Sequence, residues 1–277
     1  MVRSCCAGLV AAALALAASC DSSPVEPSSS SGSEQLALKL STAHFRVLAD
    51  RASPTALQAI ADALEAAYPR VTADLRTGEL AAVSAYVWTD EASFNAAMRS
   101  NLGVVWPGTK GYVFAPSNVA VLAVASAGAV AQTATHEFIH VATLAVNPSI
   151  SNNPRWLWET VALYENREFV HPATLAYMRT GQLPTLAALN AGFNDSRQIY
   201  EVGCVLGEFI VANWGLDGMV RLVQTNGNVP DTLGLSVADF EARWYAFLKA
   251  NYGVPSAYSI GTGDTHPAGA TSGPADQ

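Results

Sequence analysis

The sequence predicts an α+β fold, with a small mixed β-sheet lobe carrying helices followed by a mainly helical lobe. Three observations predict it. Up to about residue 124, short alternating runs such as Val83-Ser84-Ala85-Tyr86-Val87-Trp88 interleave with stretches whose apolar residues recur at helical spacing. Beyond Asn153 the spacing is helical almost throughout. Half of the residues are hydrophobic and 14% are charged. That is enough apolar matter for one sizeable core or two small lobes in about 215 ordered residues.

Each element has its own signal. Gln35 to Leu48 alternates in part and contains Phe45-Arg46-Val47-Leu48, the expected first strand. Ser53-Pro54 opens a helix with Leu57, Ile60, Ala61, Leu64 and Tyr68 on one face, and Pro69 is expected to end or kink it. Val83 to Trp88 is the second strand, and a short helix from Asp90 to Arg99 follows, capped by Thr89 or Asp90. Gly103 to Gly108 is a loop. Gly111 to Phe114 and Asn118 to Val124 pair as strands turning at Pro116-Ser117. Ala129 to Leu144, Ala-rich and free of Gly and Pro, suits a buried helix that Asn147-Pro148 stops. Asn153-Pro154 opens the next helix, a capping residue followed by Pro at the first helical position. Helical segments are then expected at Trp158–Phe169, Ala173–Thr180, Leu186–Ala191, Tyr200–Trp214, Asp217–Gln224 and Val237–Ala250.

The chemistry is concentrated in Ala134-Thr135-His136-Glu137-Phe138-Ile139-His140, and in Trp156-Leu157-Trp158-Glu159-Thr160-Val161-Ala162-Leu163-Tyr164 on the helix after it. Two imidazoles four residues apart lie about 40° apart around a helix and can reach one tetrahedral ion. Glu137, turned about 100° from His136, flanks the ion where a general base for a metal-activated water belongs. With 18 residues between His140 and Glu159, a helix, a short loop and a second helix can return the Glu159 carboxylate as third ligand. A fourth position stays open for water. The set points to zinc (Zn2+) as cofactor.

These two segments resemble the gluzincin metallopeptidases, and among them the small bacterial peptidase MA-like group, whose second helix usually reads W-L-x-E-G-x-A-x-Y. The resemblance extends over about His44 to Tyr252. It implies a gluzincin-like fold, with the active-site helix between the two lobes and a sheet edge beside it that pairs with an extended substrate. That edge would be Gly111 to Phe114 or Val119 to Ala123. It also implies zinc bound by His136, His140 and Glu159, with Glu137 activating water. Relatives use a Tyr or His against the oxyanion; Tyr200, at the start of a helix, is the candidate, the other reading being a Tyr simply packed at a helix start. Two positions depart from the pattern. Thr160 stands where the group usually has Gly. Leu163 stands where thermolysin-like enzymes carry an acidic residue that bonds a liganding His, so Glu165, Glu208 or a backbone carbonyl would have to serve.

Composition places the chain. Arg3, the apolar run Ala7 to Ala18 and Ser19-Cys20 read as an export signal over residues 1–20, too short for an anchor helix. Ala17-Ala18-Ser19-Cys20 resembles a bacterial lipobox, making Cys20 the expected lipidation site and the lipid the expected membrane contact. Leu16 lies one residue too early for the usual pattern, and plain secretion is the alternative. Residues 21–37 form a Ser/Pro-rich tether, 38–253 the metallopeptidase-like domain (38–128 sheet lobe, 129–253 helical lobe), and 254–277 a disordered tail. Cys5 and Cys6 leave with the signal and Cys20 would be acylated, so only Cys204 remains as a free thiol, expected as a small buried core residue. His171 reads as a loop residue, and His266, in the tail, is no ligand candidate. The formal net charge of −8, without clustered Lys and Arg, excludes a nucleic-acid groove. The expected partner is a peptide or protein substrate. Two rivals to an envelope peptidase are a zinc-holding but catalytically silent scaffold lipoprotein, and a metal-free structural lipoprotein in which the motif is coincidental.

Overall fold

The computed structural model describes residues 36–191 and 198–255. The expected signal, Cys20, the tail from 256 and His266 lie outside them. The described residues fall in one compact unit with mixed α+β architecture. A five-stranded sheet in the order β1-β2-β3-β5-β4 is built from β1 (Ala37–Ser41), β2 (Phe45–Ala49), β3 (Val83–Trp88), β4 (Gly111–Phe114) and β5 (Asn118–Leu122). The central pairs β2–β3 and β3–β5 are parallel; the outer pairs β1–β2 and β4–β5 are antiparallel. Gln35 to Leu48 therefore holds a hairpin where one strand was expected, and Ala37, assigned to the tether, already lies in a strand.

Side-chain alternation sends each face of the sheet to a different cover. Val47, Val83, Ala85, Val87, Val119 and Val121 join the main core under α1 (Pro54–Asp74) and α3 (Ala127–Val146). Trp88, Tyr112, Ala120 and Leu122 join Phe94 and Met98 of α2 (Glu91–Leu102) on the other face. Asp90 caps α2 by accepting from Ser93 N, and Gly103 ends it at φ 73°. Of the two outcomes expected at Pro69, an end is corrected: α1 runs through it to Asp74, because Tyr68, Val71 and Leu75 are buried on either side of it. Tertiary burial outweighs the lost backbone bond.

The second half is helical. α4 (Arg155–Glu165) begins one residue later than expected, with Pro154 at the cap and no side-chain cap of its own. Asn190 instead accepts from Trp156 N at 3.1 Å, a capping partner distant in sequence. α4 also stops at Glu165, short of Phe169. Arg167 N donates to Tyr164 O at 3.1 Å and Glu168 N to Leu163 O at 2.9 Å, a Schellman turn with Arg167 at φ 57°.

Ala173 to Thr180 resolves into a 3-10 turn at Pro172–Thr174 and one turn of α5 (Ala176–Arg179); α6 is Leu186–Leu189. α7 (Gln198–Gln224) joins the two segments expected there, broken at Gly215. Among the described residues it alone is apolar and long enough to cross a membrane by composition, yet it is a core helix packed along α4. Gly207 permits that approach, since a Cβ there would lie 2.5 Å from Tyr164 Cβ. α8 (Val229–Leu233), not expected, precedes α9 (Val237–Tyr252). Val254, the first residue assigned to the tail, is buried in the main core. Cys204 is half-buried beside Glu208, not a core residue, and burial pushes its thiol up to about 11.

Candidate metal centre

α3 is fixed by the residues between its polar ones. Phe138 and Ile139 are fully buried, each contributing about 1.5–3 kcal/mol of burial. Phe138 packs edge-on against Phe45 of β2 (centroids 5.0 Å) and stacks on Tyr68 of α1 at 5.9 Å. With that face locked to the sheet and α1, helical periodicity turns His136, Glu137 and His140 to the opposite side. There they line a cleft of about 1340 Å³ that also takes in Glu159, Glu168, Tyr200 and the strand β4.

α4 crosses α3 and completes the cluster. Glu159 Oε2 lies 3.3 Å from His136 Nε2 and 3.8 Å from His140 Nε2, and one ligand atom from each of the three residues falls within 4.8 Å of the others. Ligands about 2.0–2.1 Å from a tetrahedral ion stand about 3.3–3.4 Å apart. The shortest pair matches that edge and the rest are somewhat open. Glu159 Oε2 is buried with no hydrogen bond of acceptable geometry, while Oε1 accepts from the Tyr200 hydroxyl at 3.1 Å. A buried carboxylate oxygen left to two imidazoles fits a cation. The donor set His136, His140 and Glu159 could hold a metal ion.

Electrostatics agree. Burial alone would lower the His136 pKa, but the close Glu159 carboxylate, the hydrogen-bonded Glu168 and the Glu137 charge carry it well above its ordinary value. The surrounding carboxylates favour a positive charge at His136. His140 is lowered by burial and then by His136, so its imidazole stays neutral, as a ligand must. Its Nδ1 is buried without a hydrogen bond, and stacking on Trp158 at 4.0 Å and 2° sets the ring plane. Burial pushes Glu137 up to about 8; a cation beside it would favour the carboxylate form.

Two residues of the site were not singled out in the sequence. His136 Nδ1 lies 2.7 Å from Glu168 Oε1. The three suggested partners for a liganding His are not used here: Glu165 pairs with Arg70, Glu208 accepts from the Tyr252 hydroxyl, and no backbone carbonyl takes the role. Leu163, at the position where an acid was sought, is buried against Gly203 of α7. The second is Gly111, where a Cβ would stand 2.6 Å from Glu137 Oε1 and 2.9 Å from Thr133 Cγ2. Only glycine lets β4 run this close to Glu137. Of the two edges considered, β4 is the outer strand lining the cleft; β5 is interior.

Tyr200 stands in the first turn of α7, its ring 5.4 Å beneath the Arg155 guanidinium. Burial, then the Glu159 charge, raises its pKa, so it remains a neutral donor. His171 caps the 3-10 turn through Nδ1 and packs on Tyr252, away from the cleft-lining residues. No protein-family model matches the chain, and no curated protein matches it significantly.

Proposed function

We propose that the chain is a zinc-dependent peptidase of the gluzincin, peptidase MA-like type, acting in the bacterial cell envelope from an N-terminal lipid anchor at Cys20. One observation carries the reading: two imidazoles converge on Glu159 Oε2, which has no hydrogen bond, in a large cleft, with the Glu137 carboxyl beside them outside the ligand set. His136, His140 and Glu159 would hold the zinc, which would supply Lewis acidity and lower the pKa of a water toward neutrality. Glu137 accepts the proton of the attacking water at its carboxylate and delivers it to the leaving amine nitrogen. The Tyr200 hydroxyl, a neutral donor at the same cleft, turns to the oxygen that gains charge.

The free edge of β4 supports pairing with an extended peptide backbone, which gives affinity with little sequence preference. Trp106, Phe114, Val141 and Leu144 supply apolar walls. Glu137→Gln is the test. It is expected to bind zinc as the wild type does and to lose at least about 10²–10⁴-fold in peptide hydrolysis. Full activity in that variant would overturn the mechanism.

A second reading, a catalytically silent zinc-binding scaffold lipoprotein, is favoured by the Tyr200 hydroxyl being engaged by Glu159. Cleavage of a broad peptide library by wild type but not by Glu137→Gln separates the two: no cleavage with zinc bound selects the scaffold.

A further inference from the structure

We infer that Glu168 is the positioning residue of this metal centre, fixing His136 in the tautomer that presents Nε2 to the ion; the inference rests on the zinc reading above. Proton roles follow from the network. Asn166 Nδ2 faces Gln132 O at 3.0 Å and Glu168 Oε1 at 2.6 Å. A carbonyl can only accept, so the amide nitrogen of Asn166 must face both oxygens. Glu168 Oε1 is thus already an acceptor. The His136 Nδ1 2.7 Å from it then carries the hydrogen. Nε2, 3.3 Å from Glu159 Oε2, is then the nitrogen left for the ion, which would displace any proton there.

Backbone geometry delivers Glu168 to this place. α4 brings Glu159 to the ligand set in its middle and ends in the Schellman turn that reverses the chain at Arg167. Glu168, bonded through its N–H to Leu163 O, is returned to α3. Asn166 ties the same turn to α3 through Gln132 O. One helix therefore provides both a ligand and the carboxylate that orients another ligand. The second imidazole has no such support: His140 Nδ1 lacks a hydrogen bond and depends on stacking. Loss of Glu168 removes the one carboxylate among the described residues that orients a ligand from behind.

The test is zinc affinity of the full mature chain, measured by competition with a chromophoric chelator, for wild type, Glu168→Ala and Glu168→Gln. Glu168→Ala is expected to bind zinc about 10–100-fold more weakly, and Glu168→Gln, which keeps an acceptor oxygen, to recover part of the loss. A long-range 1H–15N spectrum of the zinc-loaded wild type, which needs no variant, is expected to place the His136 proton on Nδ1. Equal affinity in Glu168→Ala, a Gln variant as weak as Ala, or a proton on Nε2 would each overturn the inference while leaving the zinc site standing. A wild type that binds no zinc would overturn the zinc reading itself, and the inference with it.

Discussion

Glu159 and Glu165 stand six positions apart on α4, and both are buried, at 6% and 1% exposure. Their surroundings differ. Arg70 grips Glu165 twice, one guanidinium nitrogen on Oε2 and the other on the backbone carbonyl. Glu159 takes one neutral hydroxyl on Oε1 and turns Oε2 to two imidazoles that line a cleft. Burial of a carboxylate does not make a site; the nature of its partners does. An arginine counter-charge ties Glu165, and with it α4, to α1, while a carboxylate oxygen turned to two imidazoles at a cleft wall invites a cation.

The comparison can be broken most severely at Glu159. Glu159→Ala is expected to lose about a thousandfold or more in zinc affinity, since a protein zinc site is worth about 10–16 kcal/mol and Glu159 would be one of three protein ligands. Isothermal titration with zinc checks it, and unchanged affinity would remove Glu159 from the site. Arg70→Ala tests the other end of α4. Glu165 would be left buried without its counter-charge, at about 2–4 kcal/mol of stability, with zinc affinity of the folded protein unchanged. Urea unfolding alongside the same zinc titration checks both halves.

What could be read beforehand divides along the same line. The His136, Glu137, His140 and Glu159 cluster was legible because its geometry is local to two helices, each with its own periodicity. Most strands, α2, α3 and β4 were legible for the same reason. Glu168 was not, because its approach depends on a turn whose αL residue is Arg167, carrying none of the glycine that usually marks such a reversal. Gly111 was hidden because its requirement arises from Glu137, distant in sequence. Pro69 and Cys204 misled, since tertiary packing decides whether a proline stops a helix and on which side of it a cysteine lies.

Smaller effects sharpen the contrast between ligand and base. Gly111→Ala is expected to displace the Glu137 carboxyl and lower hydrolysis by about 10–100-fold while zinc affinity holds, as expected for a misplacement of about 1 Å. Steady-state kinetics with zinc titration on the same sample checks this; parallel loss of zinc would place the damage in the ligand set instead.

The smallest effect belongs to Glu65, a carboxylate partly open to solvent. Burial would raise its pKa, but hydrogen bonds from Thr42 and His44 outweigh it and hold it below 4.5. A depressed carboxylate contributes stability above about pH 4.5 that is lost as pH falls through its folded value. Solvent screening keeps the contribution below about 1 kcal/mol. Melting curves of wild type and Glu65→Gln are expected to differ slightly at neutral pH and to converge in acid.

Zinc-edge X-ray absorption on protein purified without chelator tests the central claim most directly. The expected first shell is two imidazole nitrogens and light oxygen donors at about 2.0–2.2 Å, collapsing in Glu159→Ala. Protein without zinc, or a shell containing sulfur at about 2.3 Å, would contradict it.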